Sequence, residues 1–229
     1  RLEVRDPRPP LENAASRAER RVNELFAELG WDEIGGQFTD DIRVEDRRQG
    51  LRREGYDRAT MLAEIRAIAE IGVKSMTSTV VAIRGGRLAL VRSLYTGRDR
   101  APDAFRTELL RVVEVDASGR ISAYIVFDVD DLDAAFAELE ARFLASEAAP
   151  HAHAWSVVVS SCSAINRQEL PPAAPDWINI DHRPSSDMTA ILSTSRAITP
   201  EFRSYIETVH ALSDVGAVVT SESVGTSED

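Results

Sequence analysis

Residues 74–128 hold four β-prone runs in succession, 74–84, 87–96, 104–115 and 120–128. Two of the gaps between them, Gly85-Gly86 and Asp116-Ala117-Ser118-Gly119, are hairpin turn signals. Strands joined by tight turns run antiparallel, and an antiparallel sheet must bury at least one face. The cover comes from the sequence before them. Val22, Leu25, Phe26 and Leu29 recur at helical spacing and Gly30 closes the run, while Ser16 with Glu19 matches a capping box at its start. A short second helix is expected over 31–38 and a short strand over 42–46. Residues 47–58, polar and carrying Gly50 and Gly55, read as a loop. Met61, Leu62, Ile65, Ile68 and Ala69 form a second helical stripe, ended by Gly72, and Leu132, Phe136, Leu139 and Phe143 form a third after Asp130 and Asp131. Helices first and hairpin-linked strands second predict an α+β fold. A curved antiparallel sheet wrapped around N-terminal helices makes a cone whose open end is a natural ligand pocket.

The chain also repeats itself. Asp41-Ile42-Arg43-Val44-Glu45-Asp46-Arg47-Arg48 returns as Asp176-Trp177-Ile178-Asn179-Ile180-Asp181-His182-Arg183. Two copies of such length read as tandem domains rather than a solenoid. Residues 1–13, rich in proline and charge, read as a linker, 14–145 as a full domain, 146–153 as a second linker and 154–229 as a partial second unit. In that unit Trp155, Val158, Val159, Cys162 and Ile165 form a helical stripe. Another helix is expected over 187–198 and two strands over 202–212 and 217–224. The second unit has no counterpart of residues 104–144, so an unpaired edge is expected there, to be completed by missing sequence, by the first domain or by another chain.

A net charge of −11 argues against a general phosphate- or nucleic-acid-binding surface. No apolar run approaches the roughly 20 residues a membrane span needs, and a charged, proline-rich start does not read as a signal peptide. The single cysteine, Cys162, leaves no internal disulfide and fits a reducing cytoplasm. A start at Arg1 rather than Met leads us to expect a processed or excised piece of a longer protein. No phosphate-binding loop, dinucleotide fingerprint or nucleophile elbow occurs, and no cofactor is expected. His151 and His153 sit close together without a third ligand nearby, so no metal site is expected.

The helix near 15–29, the step Phe38-Thr39-Asp40-Asp41 into a strand, the helix near 60–71, and the run from Glu108 through Val115 and Asp116-Ala117-Ser118-Gly119 to Ile121 together resemble the NTF2-like superfamily, in particular its SnoaL-like branch. The resemblance covers 14–145 and, as an incomplete copy, 152–227. Phe127-Asp128 followed by Asp130–Phe136 is similar to domains appended to large actinobacterial regulatory or ATPase chains. The resemblance implies a small-molecule pocket, and pairing through the outer sheet face, either as a homodimer or as an intramolecular pseudo-dimer. Isomerases, cyclases, dehydratases and epoxide hydrolases of this superfamily use a pocket carboxylate with His, Tyr or Arg as acid or base. Two functions stay open. One is a small-molecule-binding or assembly module of a larger, regulatory protein. The other is an isomerase, cyclase or hydrolase acting on an apolar oxygenated molecule.

For the enzyme, Glu108 or Asp128 is the candidate base, with Arg106 or Tyr124 as partner. Arg106 and Glu108 share a strand face with Leu110 and Val112, which would make that face the pocket wall. The alternative for Arg106 and Glu108 is a surface ion pair. Asp46, with Arg47 and Arg48, either meets an anionic ligand at the cavity mouth or orients the loop after its strand. Trp31, Tyr56, Tyr95 and Tyr124 either line the pocket, with Tyr95 and Tyr124 bonding a ligand carbonyl, or pack in the core.

Overall fold

The computed structural model describes residues 10–97, 106–171 and 202–224, with Tyr56 and Val224 described by their backbone alone. The chain divides into two compact units, Arg1–Phe143 and Leu144–Asp229.

In the first unit, α1 (Ala14–Glu28) begins one turn before the expected cap. Asn13 is the N-cap: its side chain accepts from the Ser16 N–H at 3.0 Å, and Ser16 Oγ accepts from the Asn13 N–H at 2.8 Å. Glu19 is thereby released from capping and is buried. The Asn13 amide also donates to the carbonyls of Gly85 (3.1 Å) and Leu88 (2.9 Å), so the helix start is pinned to a hairpin turn far along the chain. The helix ends in Leu29, which is left-handed at φ 58°, and not in Gly30. After α2 (Trp31–Gly36) comes β1 (Phe38–Asp46). The expected loop over 47–58 contains a four-residue strand instead, β2 (Arg53–Tyr56), paired antiparallel with β1. Its polar sequence has no hydrophobic alternation to announce it. Asp57 caps α3 (Arg58–Glu70) by accepting from the Thr60 N–H at 2.8 Å.

The four strands of the meander follow as β3 (Val73–Arg84), β4 (Leu88–Gly97), β5 (Arg106–Val115) and β6 (Ile121–Asp128), then α4 (Leu132–Ala145). The sheet order is β2-β1-β6-β5-β4-β3. Neighbours are antiparallel except β1 and β6, which run parallel. The sheet is curved and does not close into a barrel.

Register separates two faces. Val44, Val91, Val113 and Tyr124 point inward and join Val22, Leu25 and Phe26 of α1 and Met61 of α3 in one core. Each fully buried aliphatic or aromatic side chain there contributes about 1.5–3 kcal/mol. Leu90, Leu110, Val112, Ile125 and Phe127 are buried on the opposite, outer face. α4 is tied across that face by ion pairs from Glu140 to Arg84 (2.5 Å), Arg142 to Glu114 (2.6 Å) and Glu138 to Arg47 (2.9 Å).

In the second unit a 3-10 turn, Ala149–His151, leads directly into α5 (Ala152–Asn166). The expected strands are present as the antiparallel pair β7 (Arg203–Ser213) and β8 (Gly216–Val224), against which α5 packs. The Asn166 side chain brackets Ser204, accepting from its N–H at 2.7 Å and donating to its carbonyl at 3.0 Å. Cys162, expected in the core, is half-buried on α5. The repeat element at 176–183, the helix expected over 187–198 and the linker over 1–9 lie outside the described residues.

Candidate functional site

The inner face of the sheet and helices α1 and α3 enclose a cavity of about 640 Å³. Much of its wall is apolar, from Val22, Val44, Met61, Ile65, Met76, Leu109 and Val126, and Asp46, Glu64 and arginines complete it. That volume falls within the range of ordinary small-molecule sites, about 300–1,000 Å³. One end is buried, where Tyr95, Arg111 and Tyr124 meet; the other opens beside the segment from Arg48 to Arg53.

The buried end is built around Glu19 and Arg111. Arg111 Nη1 donates to Glu19 Oε1 at 2.9 Å, and its Nη2 donates to the Tyr95 hydroxyl. Ser78 Oγ donates to the same Glu19 oxygen at 2.9 Å, and the Tyr124 hydroxyl donates to the other at 2.5 Å. The guanidinium also lies 4.5 Å over the Tyr124 ring. Burial pulls the Arg111 pKa down, but the charges and dipoles of Tyr95, Glu19 and Tyr124 outweigh it and hold Arg111 above the ordinary arginine range. Burial, then the charge of Glu19, pushes the Tyr124 phenol well above its usual value. At neutral pH this end therefore holds a charged arginine and a protonated Tyr124.

By sequence Glu19 reads as the capping-box partner of Ser16, and Arg111 has no assigned role. Both left a signal there. Glu19 interrupts the apolar stripe of α1, three residues before Val22 and seven before Phe26, and Arg111 interrupts the run Leu109-Leu110-Arg111-Val112-Val113. A charge on a face that must be buried needs a partner. These two face each other.

At the open end Asp46 is inward-facing and nearly buried. Arg48 grips it with two bonds, Nε to Oδ1 at 3.0 Å and Nη2 to Oδ2 at 2.6 Å, which hold the Arg48 pKa above its ordinary value. Asp46 Oδ1 also accepts from the Arg48 N–H at 3.1 Å, so the carboxylate shapes the chain that follows its strand. Arg47 turns to the outer face and pairs with Glu45 and Glu138. Arg53 pairs with Glu64 of α3.

The other expected site residues are distributed differently. Glu108 and Leu110 belong to the outer face, because the inward residues of β5 are Thr107, Leu109, Arg111 and Val113. The expectation that the Glu108 face walls the pocket is therefore corrected: one residue of strand parity separates the two assignments. Arg106 and Glu108 form an ion pair at 2.5 Å, with Arg106 65% exposed, and that bond holds Glu108 below the usual carboxylate range. Asp128 is inward-facing at the end of β6, outside the cavity lining, and accepts from the Gln49 N–H at 2.7 Å. Trp31 heads α2 and meets Phe26 edge to face at 6.0 Å, also outside the lining. Tyr56 ends β2, and its side chain lies outside the described residues. Tyr95 and Tyr124 both line the cavity. Among the described residues no three His, Cys, Asp or Glu side chains converge as metal ligands, and no helix is long and apolar enough to cross a membrane.

Three helices cupped by a curved sheet, with a cavity between sheet and helices, make the first unit an α+β fold. Solved structures similar to this chain cover about half of it. An NTF2-like protein from Exiguobacterium sp. 255-15 is 15% identical over 48% of this chain and 95% of its own, with a TM-score of 0.37. SalBIII, an epoxide hydrolase/cyclase-like enzyme of salinomycin pyran-ring formation, is 18% identical over 49% and 88%, with a TM-score of 0.39. RV0760c from Mycobacterium tuberculosis, in complex with estradiol-17beta-hemisuccinate, is 10% identical over 52% and 97%, with a TM-score of 0.42. At these identities the likeness is one of fold and carries neither ligand nor chemistry. No family model matches the chain, and no curated protein does.

Proposed function

We propose that the first unit is a binding module for a small, largely apolar molecule bearing an oxygen acceptor. The observation that carries this is the cavity itself: about 640 Å³, largely apolar in its wall and ending on Tyr95 and Arg111. Tyr95 accepts from Arg111, which leaves its own O–H as a donor, while Arg111 Nε is buried with no hydrogen-bond partner among the described residues. A carbonyl or hydroxyl oxygen at this end would satisfy donors that the protein leaves open. Acid/base chemistry would need a pocket carboxylate free to move a proton. Asp46 and Glu64 in the wall, and Glu19 behind it, are each held by an arginine. That supports binding over catalysis.

A shared irregularity supports reading the second unit as a partial copy of the first. In β3 the register slips between Val80 and Ala82, and in β7 between Val209 and Ala211. Each slip falls at the same step back from the last residue of its strand, Arg84 or Ser213. Bulges are positioned features of a sheet, not random defects.

The test is fluorescence titration with N-phenyl-1-naphthylamine, a neutral apolar probe, followed by displacement with 2-dodecanone. Saturable one-to-one probe binding is expected. Tyr95→Phe should weaken the ketone about three- to tenfold, the cost of one hydrogen bond, and leave the probe within about twofold. Glu108→Gln, on the outer face, should change neither. Failure of the probe to bind overturns the proposal.

A further inference from the structure

Charge around the cavity is unevenly cancelled. Four arginines line it, Arg48, Arg52, Arg53 and Arg111. Three have a close carboxylate partner: Asp46 for Arg48, Glu64 for Arg53 and Glu19 for Arg111. Arg52 is different. Its nearest acid among the described residues is Glu54 at 3.8 Å, and both side chains are about three-quarters exposed (73% and 74%). An ion pair so long and so wet neutralises little. Arg52 stands at the open end, next to Leu51, which lines the cavity and is 55% exposed, and across from Ile71 of the opposite wall, 77% exposed. The entrance therefore pairs an apolar rim with one uncancelled cation, on a chain whose net charge is −11.

Resting on the binding reading above, we infer that the ligand is an amphipathic anion, with its apolar body inside the cavity and a carboxylate, sulfate or similar group held at the mouth by Arg52. The opposite orientation is disfavoured by charge. At the buried end Arg111 is already neutralised by Glu19, so an entering anion would be stripped of water beside a like charge. At the mouth the anionic group keeps much of its hydration while its chain is buried. The field of Arg52 also draws anions toward an opening that the rest of this acidic surface repels.

Displacement of N-phenyl-1-naphthylamine by three molecules with one chain tests this: dodecanoate, 1-dodecanol and dodecylamine, at pH 7.5 and low salt. Dodecanoate should displace the probe at about three- to fivefold lower concentration than dodecanol, the range an exposed ion pair supplies, and dodecylamine should be weakest. The carboxylate preference should shrink in about 0.5 M NaCl, where screening is short-ranged. Arg52→Gln should reduce it to less than about twofold; Arg43→Gln, on the outer face, should leave both it and probe binding intact. Equal displacement by dodecanoate and dodecanol, or a preference that survives Arg52→Gln, overturns this inference and leaves the cavity reading standing. If neither the probe nor any of the three molecules binds, both readings fall.

Discussion

Glu19 is the residue on which the interior of the first unit depends most. Its two oxygens meet Arg111, Ser78 and Tyr124, which come from three different strands, while it sits on a helix. Removing one partner of a buried pair leaves the other charged and stranded, at a cost of about 3–5 kcal/mol. Glu19→Gln should lower stability by about that amount in urea melts. The double variant Glu19→Leu with Arg111→Met should regain a large part of it, because neither charge then remains buried. A double variant no more stable than Glu19→Gln would mean that the pair acts through geometry and not through charge. This centre was half legible in the sequence. Tyr95 and Tyr124 were readable as pocket residues because strand tyrosines combine an apolar ring with a donor. Glu19 was misread because Ser16 three residues before it imitates a capping box, and only the burial of its helix face distinguishes the two roles. Glu108 was misassigned for a plainer reason. β5 is apolar on both faces, so alternation does not say which face looks inward.

At the scale of elements, Asn13 couples the start of α1 to the β3–β4 turn. One side chain caps the helix through its oxygen and holds the hairpin carbonyls through its nitrogen. Asn13→Asp keeps the capping oxygen and loses the amide donors, while Asn13→Ala loses both. We expect Asn13→Ala to cost about 1–3 kcal/mol, a cap plus buried hydrogen bonds. Asn13→Asp should be at least as damaging, because it turns a carboxylate oxygen toward the Gly85 and Leu88 carbonyls. Thermal melts of the two variants separate the cap from the hairpin tie: an Asp variant equal to the parent would show that only the cap matters. The longer helices of the first unit were legible from their 3.6-residue apolar stripes, and the meander from turn signals between its β-prone runs. β2 was not, since a four-residue polar strand is specified by its pairing with β1 and not by its own pattern.

The two units differ in how their strands are supported. Among the described residues six strands share one sheet in the first, and two pair in the second. Backbone amides of β4, β5 and β6, which have neighbours on both sides and lie under a core, should exchange slowest with deuterated water. Those of β2, at the sheet edge, and of β7–β8 should exchange by local opening at far lower free energy. Hydrogen-exchange mass spectrometry resolves these segments, and equal protection across all of them would contradict this ordering. The two-unit division also limits what a single sequence discloses. A repeat of eight residues is enough to suggest duplication, whereas strand pairing in the second unit is not encoded in that pattern.

The parallel seam between β1 and β6 has a consequence for the order of events during synthesis. Turns between consecutive strands can close β3 through β6 from local contacts, but Val44 meets Tyr124 only after the intervening chain has been made. Until then β1 lacks its partner strand, although α1 can already lie against β3 and β4, where Asn13 meets the Gly85 and Leu88 carbonyls. The buried end of the cavity is therefore complete only once β6 brings Tyr124 to Glu19, and long-range closure of this kind slows folding.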